Sequence, residues 1–189
     1  MVANKLRLYL AYFKRTNPSG ANPERYHVSF MICPKKPKDN EPNARILHAV
    51  DFLDKNRKLR QIWRFEAKDS SPRTIMLSGV MLLGKLEPAI TPEIIEEVLT
   101  KIYIPPTDAD ASGADWRCTN WVWASLEILA EERIIPRFDG TGQDLWNVGV
   151  NFVNGATNGN GIPVHDDWLY TCDMSGRQID SEIGPYVRK

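Results

Sequence analysis

The spacing of apolar residues changes once along this chain, near Thr91, and that change confines what it can fold into. Upstream, Leu6, Leu8 and Leu10 alternate with Lys5, Arg7 and Tyr9. In YHVSFMIC, Tyr26, Val28, Phe30 and Ile32 share one face while His27, Ser29, Met31 and Cys33 share the other. A period of two belongs to a strand with one face turned to the core. ARILHAVDF, QIWRFEA and RTIMLSGVMLLGKL continue in aliphatic and aromatic residues, three further strands separated by loops rich in Pro, Asn and charge.

From Thr91 the period lengthens. Ile94, Ile95, Val98, Leu99 and Ile102 recur at three and four, behind Thr91 as N-cap and Pro92 at the first helical position. A second helix is expected from about Trp116 to Glu132, stopped before Pro136, with Cys118, Val122, Ser125 and Leu129 on one inward stripe. Beyond it, RFDGTGQDLWN, VNGATNGNG and GPYVRK are rich in Gly and Asn and read as two or three short strands joined by turns, NGATNGNG being a mobile one. The expectation is one α+β domain over residues 1–189: strands, then helices, then a turn-rich extension over residues 137–189.

Composition removes several classes of function. Lys and Arg together number 24, as do Asp and Glu, so no basic footprint for nucleic acid or an anionic membrane surface is present. The apolar runs are far shorter than the roughly 20 residues of a spanning helix. MVANKLRLYLAYFKR lacks the unbroken apolar stretch of a secretory signal, and the 3 cysteines form no paired framework. A reducing, cytoplasmic setting is expected. No phosphate-binding glycine loop or dinucleotide fingerprint occurs, so no cofactor is expected. VHDDW (His165, Asp166, Asp167) lacks partners at metal-ligand spacing and reads as a solvated turn; no metal is expected either.

Cys118 opens the second helix in DWRCTNWVWASLEIL. A helix N-terminus favours a thiolate through its free N–H groups and dipole, and Arg117 adds positive charge beside it, whereas Asp108, Asp110 and Asp115 upstream would oppose it. A single cysteine is more often a small buried hydrophobe. Nucleophilic use needs an imidazole within reach and a third group to orient that imidazole, and His27 and His48 both sit on strands upstream. Six tryptophans are present; Trp116 and Trp121 flank the cysteine and are candidate walls for a substrate.

RYHVSFMI, ARILHAV and RCTNWVWASLEIL resemble, in order, the strand histidine, the second histidine and the nucleophile helix of the lecithin:retinol acyltransferase-like proteins. These belong, with the PPPDE-type peptidases, to the circularly permuted papain-fold thiol enzymes. The likeness spans roughly residues 24–132. It implies an antiparallel sheet packed on a nucleophile-bearing helix, with Cys118 as nucleophile, His27 as general base and His48 orienting His27. Arg117 stands where that family usually has Asn, and CPKKPKDNEPN lengthens the gap between the histidines. WRCTNWVWASLEIL is also similar to a stretch of uncharacterised fungal proteins.

The expected function is therefore a cysteine-dependent hydrolase or acyltransferase. It would act on a small-molecule, peptidyl or acyl substrate (an amide, ester or thioester) through an acyl-enzyme on Cys118. The Cys118 N–H, with Tyr26 supplying or shaping a second donor, would hold the oxyanion, and Trp116, Arg117 and Trp121 would meet substrate. The other expectation is a non-catalytic binding protein of the same fold, with an aromatic cleft for a peptide, an acyl chain or a small metabolite.

Overall fold

A computed structural model describes residues 5–15, 25–38, 41–54, 60–105, 116–161 and 168–185. Five long strands come first: β1 (Leu6–Lys14), β2 (Tyr26–Pro34), β3 (Ala44–Asp54), β4 (Arg60–Ser70) and β5 (Leu77–Lys85). Helices α1 (Pro92–Thr100), α2 (Cys118–Glu131) and α3 (Gly142–Ala156) follow, then two short strands, β6 (Thr171–Cys172) and β7 (Gln178–Ile179). The strands form one sheet in the order β4-β3-β2-β1-β5-β6-β7. All neighbours are antiparallel except β5 and β6, which run parallel. The fold class is α+β.

The alternation read in β1 and β2 is the one that packs. Leu8, Leu10, Tyr12, Tyr26, Val28, Phe30 and Ile32 form one core with Ile95 and Leu99 of α1, Trp121, Val122, Leu126 and Leu129 of α2, and Leu145 and Val153 of α3. Tyr9, Ala11, Met31, Cys33, Ala44 and Ile46 point to the opposite face, where Leu169 and Ile183 cover them. Arg45 of β3 ties α1 to the sheet, its Nη2 2.7 Å from Glu96 Oε2.

The sheet is not evenly closed. β2 and β3 pair only at Phe30↔Leu47, Met31↔Ile46 and Ile32↔Arg45, whereas β3 and β4 pair from Ala44↔Ser70 to Asp54↔Arg60. Past Leu47, β3 leaves β2 and continues with β4 alone. The ladder is therefore open, without backbone pairing, between the start of β2 and the second half of β3.

The region after residue 137 departs from expectation. Two short strands are there, but Gly142–Ala156, expected to form short strands and turns, is a helix. Its signals are local: Thr141 accepts from the Asp144 N–H while the Asp144 carboxylate accepts from the Thr141 N–H, a capping box with Asp in place of Glu. Glycine, which normally opposes helix, is here a packing device. A Cβ on Gly149 would lie 1.9 Å from Tyr12 Oη and one on Gly142 would lie 2.1 Å from the Trp123 carbonyl oxygen, so the helix seats against β1 and α2 only without side chains there. NGATNGNG is the end of α3 and its exit turn, with Asn158, Gly159 and Gly161 at positive φ. β6 and β7 lengthen the sheet at the edge remote from β3 and β4.

This packing gives a paired expectation. Gly149→Ala forces an added methyl into a buried ring and should cost about 1–3 kcal/mol, lowering the melting temperature by several degrees. Gly155→Ala, in the same helix with nothing within 4 Å of the new Cβ, should raise stability by about 0.5–1 kcal/mol. Thermal melts of the two variants check both signs.

Candidate functional site

Cys118 is the first residue of α2 and is 1% exposed. The cap preceding it is Arg117, in extended conformation, whose backbone N–H donates to Asn120 Oδ1 at 2.8 Å. Asn120 thus supplies the N-terminal signal that a Ser, Thr or Asp at the cap would otherwise give. Two aromatic contacts bracket the thiol. Trp116 lies edge-on to Trp63 of β4 with ring centroids 5.1 Å apart. Trp121 meets Phe30 of β2 at 5.7 Å and Phe65 of β4 at 5.8 Å. Trp63 and Phe65 pair with Asp51 and Ala49 of β3, so the start of α2 lies over the stretch where β3 has left β2.

At that opening three side chains form a hydrogen-bonded chain. His27 Nε2 lies 2.7 Å from His48 Nδ1, and His48 Nε2 lies 3.0 Å from Glu66 Oε2. The roles follow from what each group can do. A carboxylate only accepts, so His48 Nε2 carries the proton; His48 Nδ1 then accepts from His27 Nε2–H, and His27 Nδ1 is left with a free lone pair. Glu66 is paired with His48 across β3 and β4, and it also holds Lys68 at 3.2 Å and Arg64 at 3.3 Å. By alternation, His27, His48 and Glu66 share the sheet face of Met31 and Ile46, while Tyr26 and Val28 share the helical face with Cys118.

Arg15, directly after β1, links the two sides. Its backbone N–H donates to the Arg25 carbonyl at 2.9 Å, which prolongs the β1–β2 hairpin. Its Nη2 lies 3.5 Å from Cys118 Sγ, and its charge also acts on His27. Arg15 Nε is buried with no hydrogen-bond partner.

The electrostatics hold both imidazoles neutral. His27 is pushed down to about 3, first by burial and then by His48, Arg15 and Lys68, against a raising influence of Glu66. Burial also lowers His48, against its hydrogen bond to Glu66. Glu66 is lowered to about 2, chiefly by its bonds to His48 and Lys68. Burial pushes the thiols of Cys33 and Cys172 up to about 12.

The remaining expected site residues divide. Tyr26 is a core residue whose hydroxyl donates to Asn154 Oδ1 of α3 at 2.9 Å, with Tyr12 edge-on to its ring; that hydroxyl is taken up by packing α3. Trp121 is 1% exposed and fills the core under α2, while Trp116 is half-buried. Arg117 is the cap. His165, Asp166 and Asp167, like Asp108, Asp110 and Asp115, lie outside the described residues. Among the described residues no cluster of His, Cys, Asp and Glu could hold a metal, and no helix is long and apolar enough to cross a membrane. Arg15 and Glu66 are the members that reading the sequence missed.

The pH dependence of folding follows from these shifts. Unfolded, His27 takes up a proton near its ordinary value of 6.5. Folded, it resists until far lower pH, so the stability it contributes is complete above about 6.5 and is lost as pH falls towards 3. Glu66, lowered from 4.5 to about 2, contributes stability above 4.5 that is lost below it. The melting temperature should therefore fall between pH 7.5 and 4.5, and His27→Gln should flatten that part of the curve. A wild-type profile flat across this range would contradict a buried neutral His27.

Neither the curated proteins nor the solved structures include a match to this chain. A family model covers residues 5–153, from β1 through most of α3 and so across every residue of the site just described. The chain belongs to DUF6914, a family of unknown function.

Proposed function

We propose that this chain is a cysteine-dependent hydrolase or acyltransferase of circularly permuted papain type, working through an acyl-enzyme on Cys118. The observation that carries the reading is the directed chain Glu66–His48–His27, which leaves His27 Nδ1 unprotonated, together with Arg15, which acts on His27 and reaches Cys118 Sγ at 3.5 Å. A carboxylate that orients one imidazole, which in turn orients another, is the arrangement a general base requires. Cys118 at the first position of α2 has its own backbone N–H as an oxyanion donor. Attack by sulfur on a carbonyl carbon forms the C–S bond and expels the leaving group. Water or an acceptor amine or alcohol, giving its proton to His27 Nδ1, then breaks that bond.

The burial of Cys118 favours one second reading, a protein of the same fold that binds an acyl chain, a peptide or a metabolite beside α2 without turning it over. Intact-protein mass spectrometry separates the two. After brief mixing with a panel of activated esters and thioesters, the acyl mass should appear on Cys118 and decay with turnover. Cys118→Ala should show neither, and His27→Ala should slow decay of the adduct by about 10²–10⁴. An unmodified Cys118 across the panel would leave the binding reading in place.

A further inference from the structure

We infer that Arg15 is a catalytic residue of this site, the cation against which the Cys118 thiolate forms, and that the site is in consequence built for thioesters and activated esters rather than amides. The inference rests on the acyl-enzyme reading above and names its substrate class. Its starting point is charge balance. Among the described residues no carboxylate pairs with Arg15: its side chain has Cys118 Sγ at 3.5 Å, and its buried Nε has no acceptor. Elsewhere among the described residues Arg7, Arg45, Arg64 and Arg177 each face a carboxylate, while Arg25 and Arg73 donate to backbone carbonyls. A guanidinium brought into the protein without a counter-ion is costly, and an anion at the sulfur removes that cost.

The charged and titratable groups that the described residues bring to the thiol and its base are Arg15 beyond β1, His27 on β2, His48 on β3, Glu66 and Lys68 on β4, and Arg117 at the cap of α2. Glu66 is the one acid in that set, and it is already bonded to His48 and Lys68. Arg15 Nη2 lies 3.5 Å from the sulfur, and that contact assigns it to the thiolate.

The substrate class follows from the protons. With Arg15 as counter-ion, the thiol proton goes to solvent when the thiolate forms, not to His27. Attack on the acyl carbon then makes the C–S bond and releases a leaving group with no imidazolium beside it to supply a proton. A thiolate or a phenolate departs as the anion; an amide nitrogen does not, because its expulsion needs a proton donor. In the second half, His27 Nδ1 accepts the proton of the incoming water or alcohol, the C–S bond breaks, the thiolate returns to Arg15, and the proton passes from His27 to solvent.

The test uses full-length protein with 4-nitrophenyl acetate, S-phenyl thioacetate and 4-nitroacetanilide, three donors of one acetyl group, and follows S-acetyl-Cys118 by mass against pH. Acylation by the ester and the thioester should rise on a single limb and then stay level, while the anilide reacts at least a hundredfold more slowly. Arg15→Gln should move that limb up by a pH unit or more, a loss of about tenfold at pH 7 where one unit separates the two, and Arg15→Lys should recover most of it. Iodoacetamide alkylation of Cys118 should shift in parallel, and Cys33 and Cys172 stay unlabelled as internal controls. An unmoved limb in Arg15→Gln, or an anilide acylated as fast as the ester, overturns the inference while the acyl-enzyme itself stands. Absence of acylation by all three, with alkylation still dependent on Arg15, instead removes the enzyme reading and leaves Arg15 as the thiolate's partner.

Discussion

The indole of Trp121 lies edge-on to Phe30 and tilted on Phe65, ring centroids under 6 Å apart in both cases, and through it α2 is anchored to two strands at once. Phe30 belongs to the last stretch where β2 and β3 still pair, and Phe65 to the β3–β4 ladder that continues alone. A side chain this large, wholly buried between two rings, contributes about 3–5 kcal/mol against truncation, and its position is set by packing with little latitude. Cys118 lies one turn earlier on the same helix, so the place of the thiol relative to the sheet opening is inherited from that contact. Trp116 on Trp63 fixes the approach of the chain into the helix from the other side. The tryptophans beside the cysteine therefore serve first to place it.

The strands and α1 were legible because each carries its own period. Tyr26, Val28, Phe30 and Ile32 alternate without interruption, and Thr91 with Pro92 announces α1 at its first residue. The opening was not legible, because it is a matter of register: nothing in ARILHAVDF marks Leu47 as the last residue to pair with β2. The same blindness hid Glu66, which becomes a site residue only because β4 sets it opposite His48, and Arg15, which meets a sulfur 103 positions later in the chain. Helix α3 was hidden for a different reason. Gly142, Gly149 and Gly155 lower its intrinsic propensity, and two of the three are glycines because Trp123 and Tyr12 leave no room for a Cβ. Tertiary packing overrode propensity there, and the Thr141–Asp144 box was the one local signal against reading it as turns.

The sheet also explains why two histidines sit where one is usually discussed. Strand alternation sends His27 to the face away from α2, and a lone imidazole there would be half-buried without a partner. The diagonal contact to His48, and through it to Glu66, satisfies both nitrogens of His48 and one of His27. The price of that arrangement is basicity: burial and the neighbouring cations hold His27 neutral well below physiological pH. A neutral imidazole with a fixed tautomer is suited to accept a proton in a transition state and poorly suited to store one at rest.

Two roles that many thiol enzymes combine in one histidine are thereby separable. Stabilising a resting thiolate needs a permanent positive charge, and accepting a proton needs a lone pair aimed at it; a group cannot offer both in one protonation state. Here the guanidinium of Arg15 is at the sulfur and the free nitrogen belongs to His27. Because arginine does not titrate in the accessible range, a thiolate held in this way would keep its charge partner at every pH at which the fold survives. The acid limit of such a site would then be set by the sulfur and by unfolding through His27 and Glu66, and its alkaline limit would not be set by an imidazolium at all.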